Sequence, residues 1–171
     1  MNYKIRLAQE SDLLTLTEIY NYYIENTAAT FYTEPFTVEQ RRAWYAGYAS
    51  TGPYKLLVLE IDGQAAGYAS SSPYRRDPAF QQSIETSIYL APALTGKGYG
   101  KPLYQSLFRE LREEELHRAY AGIALPNEAS VKLHLSLGFR EVGIFSEYAM
   151  KFGRYWSSMW LEKELSPGSH K

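Results

Sequence analysis

No cysteine occurs among the 171 residues. Disulfides, thiolate metal sites and a cysteine nucleophile are thereby excluded, and no metal is expected. No apolar stretch approaches the ~18 residues that mark a membrane-crossing helix. The opening Met1-Asn2-Tyr3-Lys4-Ile5-Arg6 does not have the form of a signal peptide. A cytoplasmic protein without a membrane partner is expected. Charge of one sign is also missing: 18 Lys and Arg stand against 19 Asp and Glu, for a net charge of −1. No overall field therefore favours nucleic acid or an anionic membrane. The cluster Arg112-Glu113-Glu114-Glu115 reads as a solvated helix face. Internal repeats, linkers and low-complexity stretches are absent, so one domain over residues 1–165 is expected, with a disordered tail at 166–171.

Tyrosine, by contrast, is abundant, at 16 residues. Such a number suits an aromatic-rich core, a pocket wall or a dimer surface. Hydrophobic periodicity divides the chain into eleven segments. Residues 3–7 read as a strand. A helix follows, capped by Ser11 or Asp12, with Leu13, Leu16, Tyr20, Tyr23 and Ile24 on its apolar face. Residues 26–36 are irregular. A second helix spans about 38–49, with Thr37 as its cap. Strands over 55–62 and 64–72 join at the Asp62-Gly63 turn. A polar loop carrying Arg75 and Arg76 leads to a strand over 84–91, and a helix then runs to about Leu116. A strand over 119–125, a helix over 128–137 closed by Gly138, and two final strands over 139–145 and 155–165 complete the chain. The order β-α-α-β-β-β-α-β-α-β-β predicts an α/β protein with a mixed sheet and helices on both faces.

The stretch from Ile84 to Tyr104 organises the rest. Ile84, Thr86, Ile88 and Leu90 alternate as a strand, Pro92 stops it, and Gly96, Gly98 and Gly100 lead into a helix with Pro102 in its first turn. A glycine-rich turn at a helix N-terminus gathers backbone N–H groups, and the helix dipole adds about half a positive charge. Lys97 and Lys101 add full charges. A phosphate-bearing ligand is expected. The loop is not a P-loop, because three residues rather than four separate Gly96 from Gly100-Lys101, and Pro102 follows instead of Ser or Thr. The last glycine spacing also departs from the dinucleotide fingerprint.

Thr95-Gly96-Lys97-Gly98-Tyr99-Gly100 resembles the acyl-CoA loop of the GCN5-related N-acetyltransferase superfamily, with Thr95 in place of the usual Gln or Arg. The resemblance implies a mostly antiparallel sheet in which two parallel strands, here 84–91 and 119–125, splay apart to admit the pantetheine arm. Acetyl transfer to an amine requires that an ammonium lose a proton, that a thioester carbonyl be polarised and that a thiolate leave. Glu85, on the central strand, is the candidate base. His134, on the helix after Asn127, is the second candidate for proton transfer. Asn127 is a helix cap, a ligand-binding amide, or both. His117 and His170 lie in polar or tail contexts.

A narrower resemblance rests on Asn21-x-Tyr23-Ile24-x-x-Thr27, Phe31-x-Thr33-Glu34-Pro35, Glu85-x-Ser87-Ile88-Tyr89, Leu125-Pro126-Asn127-x-x-Ser130-Val131-x-x-His134 and Lys151-x-Gly153-x-x-Trp156. Together these resemble the phosphinothricin and methionine sulfoximine acetyltransferases. The resemblance implies acetyl-CoA as co-substrate, and Glu85 as a base acting through water with His134 assisting. Ile88, Tyr89 and Leu90 would hold the pantetheine and thioester, with Thr95 through Lys101 on the pyrophosphate. Asn127 and Ser130 would meet the coenzyme arm, with Phe31 and Arg75 at the acceptor. It also implies a homodimer, for which Tyr155-Trp156 and Met159-Trp160 offer an aromatic surface. Two positions depart: Asp77 replaces the second of two spaced arginines, and Trp156-Ser157-Ser158 replaces Trp-x-Asp. Three functions remain in view: acetylation of a small amino acid's α-amino group; the same chemistry on a polyamine, aminoglycoside or protein N-terminus, which Asp77 would favour; and a non-catalytic acyl-CoA sensor.

Overall fold

The computed structural model describes residues 2–165; the tail expected at 166–171 lies outside them. Eleven regular elements follow the expected order: β1 (Tyr3–Leu7), α1 (Leu13–Asn26), α2 (Val38–Tyr45), β2 (Leu56–Ile61), β3 (Gln64–Pro73), β4 (Ser83–Leu90), α3 (Gly100–Glu110), β5 (Arg118–Leu125), α4 (Glu128–Ser136), β6 (Arg140–Lys151) and β7 (Arg154–Glu164). The strands form one sheet in the order β1-β2-β3-β4-β5-β7-β6. Only the β4–β5 pair is parallel; every other neighbour is antiparallel.

Both faces of the sheet are covered, and the strand sequences show why. On β2 the alternating residues Leu57 and Leu59 join Ala69, Ile84, Ala119 and Leu161 under Leu103, Leu107 and Leu111 from α3 and the turn after it. Leu56 and Val58 point the other way and pack with Tyr68 against Leu16 and Ile19 of α1. A strand covered on both sides reads as a continuous apolar run, as Leu56-Leu57-Val58-Leu59 does.

Element ends depart from the periodic reading in informative ways. Asp12 does not cap α1 with its side chain. Its carboxylate instead takes a bidentate grip from Arg6, at 2.7 and 2.8 Å, and accepts from the Gln9 N–H at 2.8 Å. A charged partner outbids a neutral amide. The third helix stops at Glu110, although Leu111 and Leu116 remain buried. Glutamates at 113–115 would oppose the negative end of the helix dipole. Thr37 and Asn127 do cap α2 and α4, accepting from the N–H of Gln40 and Ser130. The β6 strand runs past Phe145 to Lys151 through a break in register.

The parallel pair positions the site. Pairing between β4 and β5 covers only Ser83–Arg118, Ile84–Ala119 and Glu85–Tyr120. The Thr86 hydroxyl then donates to the Tyr120 carbonyl at 3.3 Å, and beyond it the two strands diverge. The splay therefore opens over residues 86–90 and 121–125.

Candidate active site

The opening between β4 and β5 is a cavity of about 390 Å³, walled by Thr86–Leu90, Ala121–Ala124, the glycine loop and the start of α4. Ala91 donates its N–H to Ala66 on the β3 side. By the period of two, the backbone groups of Ile88 and Leu90 therefore turn toward the gap. The Leu90 carbonyl is already taken by the Tyr23 hydroxyl at 2.7 Å, while no ladder with β5 engages the N–H groups at this level.

The loop at the cavity mouth suits an anion. Gly96 and Gly98 hold φ of +73° and +88°, and a Cβ on either would meet nothing within 4 Å, so backbone strain alone selects glycine. Helix α3 begins at Gly100 without any side-chain cap, which leaves its first N–H groups available. Thr95, Gly96, Gly98, Gly100 and Lys101 line the cavity. Lys97 is exposed outside the lining, and Tyr99 packs edge-on against Tyr3 at 5.5 Å between ring centres.

At the inner end lies a polar pair that sequence reading found only in part. His134 is 3 % exposed. Its Nδ1 lies 2.7 Å from the Ser130 carbonyl, which can only accept, so Nδ1 carries the proton. Nε2 is then the acceptor, and the Tyr104 hydroxyl, 3.0 Å away, donates to it. Burial pushes the His134 pKa down, opposed by the Ser130 hydrogen bond, and burial pushes the Tyr104 phenol up. Both groups are thus neutral, with one proton between them on the Tyr104 oxygen. The signal for Tyr104 was its place beside Leu103 on the buried face of α3, where a hydroxyl requires a partner.

The opposite face of β4 presents Glu85, Ser87 and Tyr89 to a second cavity of about 450 Å³, whose walls include Tyr20, Phe31, Tyr32, Tyr148, Ser158 and Trp160. The two cavities share Ser87 and Tyr89 of β4 and Gly122 and Ala124 of β5, so they meet through the splay. Burial alone raises the Glu85 carboxyl above the ordinary carboxylate range.

The irregular segment 27–36 is fixed over this second cavity by long-range hydrogen bonds. Lys151 Nζ donates to the carbonyls of Thr27 and Thr30, both at 2.7 Å. The Asn21 side chain holds both the N–H and the carbonyl of Phe36 at 2.8 Å. Phe31 meets Tyr148 edge-to-face at 5.6 Å. Arg75 is not brought in: it is exposed, lies over Tyr74 and Phe80, and lines neither cavity. Asp77 is likewise exposed, at the start of a short turn over 78–80.

Residues 5–160 match the acetyltransferase (GNAT) domain family. The chain belongs to that family. It is 51% identical over 168 residues to a phosphinothricin N-acetyltransferase of Streptomyces coelicolor, covering 95% of this chain and 96% of that one. It is 37% identical over 161 residues to the L-methionine sulfoximine/L-methionine sulfone acetyltransferase of Salmonella typhimurium, covering 94% of each. The Salmonella typhimurium protein yncA, solved with its cofactor acetyl-CoA, superposes with a TM-score of 0.92 at 35% identity, covering 100% of this chain and 98% of that one. The protein is an N-acetyltransferase of the GNAT family.

Proposed function

We propose that this GNAT protein transfers the acetyl group of acetyl-CoA to the α-amino group of a small amino acid of the phosphinothricin or methionine sulfoximine type. The observation that carries the proposal is the meeting of two cavities through the splay, with an uncapped helix N-terminus on one side and a half-buried carboxylate on the other. The names of the relatives support the acceptor class.

The residues present fit the coenzyme. The strained glycine loop and the free N–H groups of α3 suit a pyrophosphate, with Lys101 adding charge. The N–H groups of Ile88 and Leu90 face the gap, where a pantetheine arm would lie, and Asn127 and Ser130 flank it. When bound, the thioester supplies the acetyl group. Glu85 takes the proton from the acceptor ammonium through water, and its raised pKa brings it nearer the amine's than an ordinary carboxylate would be. The Tyr104–His134 pair holds a proton at the inner end of the coenzyme cavity, where the thiolate leaves. With no cysteine in the chain and both cavities joined, attack is direct, within a ternary complex. The exposed apolar residues of the β6–β7 edge support a homodimer, and the cytoplasm is the setting such a co-substrate implies.

Asp77 lines neither cavity, so its charge gives no support to a cationic acceptor. The test is release of coenzyme A, read with a thiol reagent, on L-phosphinothricin, L-methionine sulfone, spermidine and kanamycin. Turnover of the amino acids, lost in Glu85→Gln, is expected. Turnover of only the amines would overturn the acceptor class. An unaltered function in Glu85→Gln would favour a sensor.

A further inference from the structure

Arg41 is a buried cation without a counter-ion. It projects inward from α2, is 5 % exposed, and forms no ion pair among the described residues. Its guanidinium stacks on the Trp44 ring at 3.5 Å and faces the Tyr20 ring at 4.6 Å. One nitrogen donates to the Tyr68 hydroxyl at a long 3.3 Å, and the buried Nε has no partner. The surrounding phenols do not neutralise it. Tyr20, Tyr48 and Tyr68 all have pKa values raised, by burial first, and remain uncharged. A guanidinium carries five N–H donors in a planar fork. Holding it out of water with most of them unused is costly unless an anion completes the site.

The fork lies on a cavity of about 260 Å³ whose walls add Gln40, Ser70, Ser72 and Ser87, all able to hydrogen-bond an oxyanion. This cavity is continuous with the acceptor cavity, since Tyr20, Tyr32, Ser87 and Tyr89 wall both. Strand register relates the hydroxyl partner of Arg41 to Glu85. Arg41 bonds Tyr68, which pairs with Tyr89, whereas Glu85 pairs with Ser72. The two registers are four residues apart, ~13 Å between backbone positions at ~3.3 Å per residue. An acceptor whose amine is one water away from Glu85 can extend its far end through the joined cavities toward Arg41.

We infer that the Arg41 cavity receives a distal anionic group of the acceptor, so that this enzyme prefers amino acids whose side chain ends in a phosphinate or carboxylate over uncharged analogues. The inference rests on the acetyltransferase reading above and deepens it by naming the residue that selects the acceptor. A planar fork matches such an anion in bidentate fashion, which lysine does not reproduce.

The experiment measures binding of L-phosphinothricin and of L-methionine sulfone by calorimetry, with coenzyme A in place of acetyl-CoA so that no turnover occurs. Wild-type protein, Arg41→Gln and Arg41→Lys are compared. The wild-type protein is expected to bind L-phosphinothricin at least tenfold more tightly. Arg41→Gln should erase most of that preference, a loss of about tenfold to hundredfold for charge-assisted hydrogen bonds, and Arg41→Lys should recover only part. Equal affinity of the wild-type protein for the two ligands overturns the inference, and that measurement needs no folded variant. Equal loss of both ligands in Arg41→Gln also overturns it, leaving Arg41 as a brace between Trp44 and Tyr20. Preferential turnover of L-methionine sulfone would sink the Arg41 assignment while leaving the acetyltransferase reading standing. Arg41-dependent binding of L-phosphinothricin without coenzyme A release would do the reverse.

Discussion

Single residues decide the chemistry through their burial. Glu85 is raised by desolvation alone, so its basic form appears at a higher pH than the ~4.3 of a free glutamate. The acidic limb of the kcat/KM profile is expected above that value, and Glu85→Gln should lower kcat about 10²- to 10⁴-fold and remove that limb. Steady-state rates across pH with a saturating acetyl donor would check this. Gly96 presents the complementary case. An alanine there finds open space but a φ of +73°, which costs about 1–2 kcal/mol. Gly96→Ala should therefore raise the KM for acetyl-CoA several-fold while kcat at saturation changes little. The sequence singled out Glu85, Asn127 and the glycines where chemistry and local order coincide, and the fold brings them to the walls of the two joined cavities. Arg41 was not legible, because a helical arginine reads as surface until its neighbours from α1 and β3 are known. Tyr104 was overlooked for the same reason: its partner is 30 residues away.

At the scale of elements, periodicity located every strand and helix but not what ties them together. Segment 27–36 looked irregular because it is; its order comes from Lys151, more than 120 residues distant, and from the Asn21 side chain. Lys151→Met would leave two carbonyls without their donor. The expected result is a higher KM for the acceptor with affinity for coenzyme A retained, read by initial rates and calorimetry. The join of β1 to α1 makes a second prediction. Burial pushes the Asp12 carboxyl up, but the Arg6 guanidinium and the Gln9 N–H outweigh it, and the net pKa is lowered. A carboxyl lowered by folding contributes stability above its unfolded value, near ~3.9, and loses it as pH falls through the folded value. Melting temperature should therefore drop below about pH 4. Asp12→Asn should be less stable at neutral pH by about 1.5–3 kcal/mol, with a shallower acid dependence. The sequence offered Asp12 as a cap; its longer-range partner on β1 took it instead.

The whole molecule ends its sheet on an open edge. Strand β6 is the outermost strand, and Val142, Ile144, Phe145, Tyr148, Met150, Phe152 and Tyr155 on the β6–β7 hairpin are each about half exposed or more. So many exposed apolar side chains on one edge hairpin suit association. Phe145→Glu with Tyr155→Lys should abolish the proposed dimer, with sedimentation showing a larger species for the wild-type protein than for the variant. The same patch borders the acceptor side through Tyr148, which touches Phe31 and shares a hydrogen bond with Ser158. Acceptor affinity should fall when association is lost, whereas coenzyme A affinity should not.

The two cavities joined through the parted strands have one more consequence. A single inhibitor could occupy both, with a coenzyme fragment on the α3 side bridged through Ser87 and Gly122 to an amino-acid fragment above Glu85. The second half would bind as if at millimolar local concentration, without a second loss of translational freedom. Such a tethered compound would compete with both substrates at once.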